Sequence, residues 1–250
     1  MNVIPRAAAV VLALGTLLPA TAAELIKPQF RIENFSTPLR IDNWLLPMKP
    51  NTFTVFYELE DGDCKVNDVI VTNRAKRDFI GHYAGLAARE VRDIVYLDED
   101  CKGQRGVVLE YTSDWYAQDN GGNVWYLGED TVEYEYDDNG HRIGSSREGS
   151  WEAGRNAEAG IVMFARPEVG MRYRQEYSPG EAEDEATNRA VNIVVATKLG
   201  RFKGCLKTSE STPLEPGVVE YKYYCPNLGL VRVDAPNANG GAELVKLGLR

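Results

Sequence analysis

The stretch from Asp114 to Asp130, DWYAQDNGGNVWYLGED, constrains the fold of this chain more than any other. Two aromatic-rich segments flank the sequence DNGGN at 119–123. Asn-Gly and Gly-Gly tolerate the positive φ angles that tight hairpin turns need. The stretch therefore predicts two antiparallel β-strands joined by a short turn.

The rest of the chain follows the same pattern. Short runs rich in Val, Thr and Tyr recur between turn signals such as Asp61-Gly62 and the DDNG at 137–140. No stretch sustains the 3.6-residue period of an amphipathic helix over a dozen residues. We therefore expect an all-β fold: a strongly curved antiparallel sheet, forming a half-barrel or open barrel, rich in meanders and with few or short helices.

Residues 1–23 have the pattern of a cleavable signal peptide. Arg6 precedes an apolar run at 7–18, and the small residues Thr-Ala-Ala at 21–23 place the expected cleavage before Glu24. The run is shorter than the roughly 20 apolar residues that span a bilayer. No Cys follows it directly and no second apolar run of spanning length occurs, which disfavours a lipid anchor and predicts no transmembrane segment in the mature chain. We expect an exported protein, periplasmic or extracellular, with a lead-in at 24–43 and a single β domain at 44–250.

The net charge of −9 bears on the class of partner. A nucleic-acid backbone requires a basic protein face, so nucleic acid is not expected as a partner. The same charge disfavours adsorption to anionic lipid surfaces and is typical of a dispersed, soluble protein.

The cysteines are even in number, which in an oxidising compartment indicates disulfides. Three connectivities are open, and we favour 64–101 and 205–225. The second pairing follows from a hairpin: strands at 205–212 and 218–225, centred near Glu215, place the two cysteines opposite each other. Zinc is the alternative, but no CxxC and no His near a Cys supports it. The cysteines are Cys64, Cys101, Cys205 and Cys225.

Oxygen-bearing side chains around the 114–130 hairpin raise the question of a metal. They lack the fixed alternation of ligands that a calcium loop shows. Asp and Asn are also common in turns for backbone reasons alone. We predict no metal and no cofactor, and retain as weak calcium candidates Asp119, Asn123, Glu129 and Asp130.

A second acidic cluster follows Pro179-Gly180. Paired carboxylates serve acid–base catalysis when burial separates their pKa values. Four carboxylates within five residues are more typical of a solvated face. The cluster consists of Glu181, Glu183, Asp184 and Glu185.

The catalytic groups of common hydrolases are scarce. The chain has only two histidines, His82 and His141, and a Ser-His-Asp triad needs one of them. There is no GxSxG motif, and cysteines that are paired cannot act as nucleophiles. The sequence predicts no catalytic residues and hence no enzyme.

Aromatic side chains are the remaining signal for a ligand site. Strand alternation places Trp115 and Trp125 on one side of their hairpin and Tyr116 and Tyr126 on the other. If one set lines a concave sheet face, it forms a site for an apolar or carbohydrate ligand, to which Trp151 would add. Packing in the core is the alternative, because aromatic side chains dominate protein cores.

Several longer motifs resemble those of an uncharacterised family of exported bacterial proteins. They lie at 46–50, 114–130, 148–154, 173–184 and 212–231, as LPMKP, the hairpin above, EGSWEAG, YRQEYSPGEAED and TPLEPGVVEYKYYCPNLGLV. The resemblance covers most of 44–233 and implies one domain, but no activity. The chain departs from it at Asn120-Gly121 and at CPNL, 225–228. A looser likeness, at the level of fold, is to the half-barrel sheets of periplasmic lipoprotein carriers.

We draw three hypotheses about function from these features. The first is a non-enzymatic exported protein that binds an apolar small molecule, a lipid or an envelope component on its curved sheet. The second is a structural or protein-interaction module of the cell envelope. A hydrolase ranks last.

Overall fold

A computed structural model of the protein describes residues 23–250. The predicted signal peptide therefore lies almost wholly outside the described residues. Of the described residues, 57% are in strands and 4% are helical, and the helical ones form the short 3₁₀ turns Ile32–Asn34, Gly81–Tyr83 and Pro236–Ala238. The expected all-β class is confirmed.

The strands are numbered in chain order. They are β1 Leu25–Ile26, β2 Thr52–Glu60, β3 Asp63–Lys76, β4 Ala88–Leu97, β5 Val108–Gln118, β6 Val124–Tyr136, β7 Arg142–Ser146, β8 Trp151–Glu152, β9 Glu158–Met163, β10 Arg172–Arg174, β11 Glu176–Tyr177, β12 Glu185–Thr197, β13 Gly200–Ser211, β14 Glu220–Cys225, β15 Gly229–Ala235 and β16 Gly240–Leu249.

All sixteen strands belong to one large sheet. Its order is β1-β10-β12-β13-β14-β15-β16-β2-β3-β4-β5-β6-β9-β11, with β7 and β8 pairing separately with β6. The pairing of β1 with β10 is parallel, and the other strand pairs are antiparallel. The sheet is open rather than closed into a barrel, as expected.

The predicted hairpin at 114–130 is the β5–β6 pair. Its turn is closed by the Asp119 N–H bonded to the Asn123 carbonyl at 3.0 Å, and Gly122 adopts a φ of +86°. A register shift between Asp114 and Tyr116 moves Trp125 opposite Ala117. The turn was thus predictable from its residues, whereas the register shift that offsets Trp115 from Trp125 was not.

The sheet curls until distant strands share one core. Val91 of β4 and Val124 of β6 lie in the same buried cluster as Leu206 of β13 and Tyr224 of β14. Five strands separate β14 from β5 in the sheet order. We call the sheet face that bears these side chains the inner face. Only strong curvature brings its two ends into contact.

One end of this interior is filled by the chain itself. Ile41, Leu45 and Met48 belong to the same cluster, so the segment before β2 enters the curled sheet as an apolar plug. Asn43 fixes the plug: its amide group donates to the carbonyls of Gly122 and Phe164 at 2.9 and 3.3 Å. Part of the predicted lead-in is therefore buried in the core.

A second apolar cluster covers the outer side of the β5–β6 hairpin. Ala117, Trp125 and Leu127 pack there against Phe35 and Tyr83. The Tyr83 hydroxyl accepts a 2.9 Å hydrogen bond from the Ala159 N–H, which anchors β9 over this side. The hairpin is thus buried on both faces.

Both favoured disulfides are present. Cys64 is bonded to Cys101, and Cys205 is bonded to Cys225. The register Leu206↔Tyr224 in the β13–β14 hairpin sets the second pair opposite each other, as predicted from the turn at 213–217. Disulfides of this kind persist in oxidising compartments, which fits an exported protein.

Candidate functional site

The inner face is apolar near one end of its strands and polar near the other. On β4, Val91 of the apolar cluster is followed two residues later by Asp93, and on β14 Tyr224 is preceded two residues earlier by Lys222. Side chains two residues apart in a strand share a face, so the polar groups stand on the same inner surface as the plug. We call this half the polar end of the interior.

The polar end is rich in carboxyl groups from both sides of the curled sheet. Burial raises the pKa of Glu58, and the charges of Glu110 on β5 and Glu220 on β14 raise it further. The members are Glu58 on β2, Asp93 on β4, Glu110 and Asp114 on β5, Glu129 on β6, Glu176 on β11, Asp184 before β12, Glu210 on β13 and Glu220 on β14.

Asp114 is the most enclosed carboxyl on β5, at 7% exposure. It accepts a 2.6 Å hydrogen bond from the hydroxyl of Tyr126, whose ring stacks on Tyr116 with centroids 4.7 Å apart. Burial raises the pKa of Asp114 well above its ordinary range, and the nearby Asp93 adds to the rise. This carboxyl therefore favours the protonated form unless a cation approaches.

Asp93 is a diagonal neighbour of Asp114 on the adjacent strand, since Asp93 lies opposite Thr112 and Asp114 lies opposite Val91. Burial, together with the carboxyls of Glu110 and Glu58, raises its pKa to about 8. Its Oδ1 atom and the Oδ1 atom of Asn67 are buried without a hydrogen-bond partner in the described part of the chain. Buried polar atoms are nearly always satisfied, so two neighbouring exceptions indicate a role other than stability.

Glu129 joins β6 to Trp151. The Trp151 indole N–H donates to its Oε1 at 3.2 Å, and the Thr131 hydroxyl donates to its Oε2 at 3.2 Å. Burial raises the pKa of Glu129 to about 7. The Trp151 ring also meets the Tyr126 ring edge-on, with centroids 5.2 Å apart. Glu129 is thus a carboxyl set against aromatic surface.

Glu176 is 7% exposed. Burial raises its pKa well above the ordinary range, with Asp184 and Glu129 adding to the rise. The Trp151 indole favours its ionised form slightly but donates its hydrogen bond to Glu129. Glu176 is thus a largely buried carboxyl near Trp151, paired across the strands with Ala159.

Close backbone packing places Glu176 there. It lies opposite Ala159 in the β9–β11 pair, and Gly160 lies opposite Tyr126 in the β6–β9 pair. A Cβ atom at Gly160 would lie 2.3 Å from the backbone of Gln175. Glycine is required at 160 because β9 and the chain before β11 touch.

A single lysine opposes the carboxyls on the β13–β14 side. Lys222 lies 2.9 Å from Glu210 and 3.6 Å from Glu220. Burial alone would lower the pKa of Lys222, but Glu210 and Glu220 hold it well above its ordinary value. Glu210 is further bonded by the hydroxyls of Thr208 and Tyr224 at 2.8 and 3.2 Å. The charge of Lys222 is therefore already compensated on this side.

The aromatic residues predicted as a ligand surface are divided by the fold. Tyr116 and Tyr126 stack on each other on the inner face, and Trp151 meets Tyr126 edge-on while also belonging to the same buried cluster as Trp125. Trp125 is 4% exposed and packs on Phe35 and Phe30 in the outer cluster. Trp115 is also on the outer side, where the Lys76 ammonium lies 4.6 Å from its ring centroid. Three of the five predicted residues thus share one place.

The oxygen ligands considered for calcium are not gathered. The Asp119 carboxylate accepts from the Asn123 amide and from the Trp125 indole, both at 2.9 Å, and so closes the turn. Glu129 lies opposite Asp114, away from that turn, and Asp130 pairs with Arg147. Within residues 23–250, no group of three or more His, Cys, Asp or Glu is arranged to hold a metal ion.

The acidic cluster after Gly180 is dispersed as well. Burial raises the pKa of Asp184, and the charge of Lys222 opposes that rise. Glu183 accepts from the Gly180 N–H at 2.9 Å, and Glu185 pairs with Arg172. Glu181 lies at a surface groove of about 1090 Å³ that passes Trp115, Glu129 and Trp151.

The two histidines lie apart from this interior. The His82 ring packs in tilted orientations against Phe30 and Tyr83, with centroids 5.9 and 4.1 Å away. His141 is exposed beside Asp137, at 3.4 Å.

Sequence reasoning did not single out most of the polar end. The sequence did contain an indication of these residues, because Glu58, Asp93 and Asp114 interrupt strands that are otherwise rich in apolar residues. Whether such a residue faces solvent or an interior depends on the curvature of the sheet. Glu176 carried no signal, because it stands in a two-residue strand.

No protein-family model matches this chain, and no curated protein matches it. The resemblance to a family of exported bacterial proteins therefore stays a prediction. Among solved structures, the chain is similar to a "putative lipoprotein" from Parabacteroides distasonis, with 13% sequence identity and a TM-score of 0.40. The match covers 82% of this chain and 99% of that one.

In residues 23–250, the structure contains no helix with the length and apolar character needed to cross a membrane.

Proposed function

We propose that this is an exported, non-enzymatic binding protein whose ligand occupies the polar end of the interior of the curved sheet. One observation carries the proposal: Asp93 and Asp114 stand on the inner face close to the stacked rings of Tyr116 and Tyr126, and Oδ1 of Asp93 is buried without a hydrogen-bond partner in residues 23–250. A fold selected for stability alone would pair or replace such a group, because burying a carboxyl without a partner is costly.

The apolar half of the interior supports a ligand of mixed character. Ile41, Leu45 and Met48 already occupy that half, so a purely apolar molecule has little free apolar surface to cover. What remains is the aromatic wall of Tyr116, Tyr126 and Trp151 beside the carboxyls. We therefore propose a small amphipathic molecule rather than a bulk lipid, delivered or retained in the periplasm or outside the cell.

Native mass spectrometry of protein purified from its own host tests this proposal. The expected result is a mass above that of the mature polypeptide with its two disulfides, lost on denaturation. The variant Trp151→Leu should lose the additional mass. Trp44→Leu is the matched control, because Trp44 is 43% exposed and lies away from the polar end. A bare polypeptide mass under conditions that retain bound small molecules would contradict the proposal.

A further inference from the structure

We propose that the β12–β13 hairpin is a docking surface for an anionic phospholipid bilayer. The inference concerns the outside of the protein, and it stands apart from the ligand proposed for the polar end. We call the surface the basic face, and it consists of Val194, Ala196, Lys198, Leu199, Arg201 and Lys203.

Charge on this hairpin differs from charge on the rest of the chain. The segment 186–209 contains five Lys or Arg and no Asp or Glu, although the whole chain has a net charge of −9. In residues 23–250, none of the five forms an ion pair with a carboxylate. An anionic partner would therefore meet cations whose charge is not yet compensated. The five are Arg189, Lys198, Arg201, Lys203 and Lys207.

The carboxyls next to the hairpin are engaged elsewhere. Glu185 and Glu210, which lie just outside the acid-free segment, form ion pairs with an arginine of β10 and a lysine of β14. Glu243 of β16 accepts a hydrogen bond from the backbone N–H of Lys198, which ties the turn to the body of the protein. The ammonium group of Lys198 stays unpaired in the described part of the chain.

The hairpin packs on the protein through one face only. Val195 is buried in the apolar cluster that contains Leu244 of β16, and its cross-strand partner Phe202 packs against that cluster. The strand residues of the basic face alternate with these two, and they are exposed. Because successive side chains in a strand point to opposite faces, the basic face is directed away from the protein.

Apolar side chains stand among the cations of this face. Val194 is 49% exposed and Leu199 is 42% exposed. Segments that lie on a bilayer combine Lys and Arg, which contact lipid phosphates, with apolar side chains that leave water for the boundary of the acyl chains. This combination favours a bilayer over an acidic protein, which would need the cations alone.

The net charge of −9 by itself predicts weak adsorption to anionic lipid. That expectation treats the charge as evenly spread over the surface. At physiological ionic strength the Debye length is about 8 Å, so carboxyls on the far side of the protein are screened from the bilayer. Each Lys or Arg close to an anionic membrane strengthens binding by about fivefold. The local charge of the hairpin therefore decides the interaction.

Sedimentation of the mature, disulfide-bonded protein with lipid vesicles tests the inference. One set of vesicles contains equal parts of phosphatidylglycerol and phosphatidylcholine, and the other contains phosphatidylcholine alone. We expect binding to the anionic vesicles to be at least about tenfold tighter. The difference should shrink as salt is added, because salt screens exposed charges.

The double variant Arg201→Gln/Lys203→Gln should weaken binding to the anionic vesicles by about tenfold or more. Arg74→Gln/Arg77→Gln is the matched control, because it removes the same charge from two exposed arginines at the end of β3. Four strands separate β3 from β13 in the sheet order, so the control should bind like the wild type. Circular dichroism melts check that both variants fold.

Leu199→Asn tests the apolar contribution separately. It should weaken binding by about threefold or more, because an apolar side chain no longer leaves water on docking. Its salt dependence should match that of the wild type, since no charge is changed.

Three outcomes would overturn the inference. The first is equal binding to the two kinds of vesicle, and the second is an equal loss in the two double variants. The third is a dimer, seen by analytical ultracentrifugation and abolished by Arg201→Gln/Lys203→Gln, in a protein that binds no vesicles; it would assign the face to a second copy of this chain. None of these results bears on the ligand of the polar end, which the mass of the host protein tests.

Discussion

The hydroxyl of Tyr126 donates a 2.6 Å hydrogen bond to Oδ1 of Asp114, which joins β6 to β5 within the interior of the sheet. Tyr126 also stacks on Tyr116 and meets Trp151 edge-on. The Tyr126 side chain therefore contacts both the neighbouring aromatic rings and the carboxyl of Asp114. Removing its hydroxyl group tests how much the hydrogen bond to Asp114 stabilises the fold.

Tyr126→Phe should destabilise the protein by about 1–3 kcal/mol, because it deprives an enclosed carboxyl of its donor. The bond favours the ionised form of Asp114, so the loss should grow as the pH rises and that carboxyl ionises. Urea denaturation followed by circular dichroism measures the difference. Tyr134→Phe serves as the control, since the Tyr134 hydroxyl makes no hydrogen bond in residues 23–250. Equal losses in the two variants would contradict the prediction.

Stability should fall as the pH rises from about 4 to about 8. Asp93 has a pKa of about 8 in the folded protein, against about 3.9 in an unfolded chain. The folded state therefore holds a proton that the unfolded state releases, and the stabilisation present below about pH 4 is lost as the pH passes about 8.

Asp93→Asn should flatten this pH dependence, because the amide does not titrate. Thermal melts at about pH 5 and pH 8 measure the change. Asp138→Asn, at an exposed turn, should retain the wild-type slope. A wild-type protein that gains stability over this range would show that Asp93 ionises freely.

The two disulfides should differ in what their removal costs. Closing a loop of 20 or 37 residues stabilises a chain by about 3–4 kcal/mol in the chain-entropy model. Cys205 and Cys225 are also fully buried, whereas Cys64 is only half-buried. The double variant Cys205→Ala/Cys225→Ala should therefore lower Tm further than Cys64→Ala/Cys101→Ala. Calorimetric melts in oxidising buffer compare them, and the reverse order would refute this explanation.

Asn43→Ala should loosen the apolar plug. Asn43 donates to Gly122 and Phe164 and accepts from the N–H groups of Leu45 and Leu46 at 2.9 and 3.2 Å. Its loss leaves buried backbone groups without partners, at about 2–4 kcal/mol for the set. Hydrogen exchange should accelerate at Leu45 and Leu46, while the control Asn156→Ala, an exposed residue, should leave it unchanged.

Local features of the sequence predicted local features of the structure. Asn-Gly and Gly-Gly specified the β5–β6 turn because few residues tolerate positive φ there, and Asp61-Gly62 specified the turn between β2 and β3. The symmetry of the 205–225 hairpin specified a disulfide because opposite residues in an antiparallel pair are close.

The sequence by itself thus determined the all-β class, the main hairpins and the covalent links. The tertiary structure alone decided that Ile41 enters the curled sheet, that Trp125 and Tyr126 face opposite sides, and that Glu129 accepts a hydrogen bond from Trp151. The physical reason is the distance along the chain over which each effect acts. Turn geometry depends on a few neighbouring residues, whereas the curvature of a sheet results from the combined twist of all its strands. Only that sum determines which carboxyls face water and which face one another.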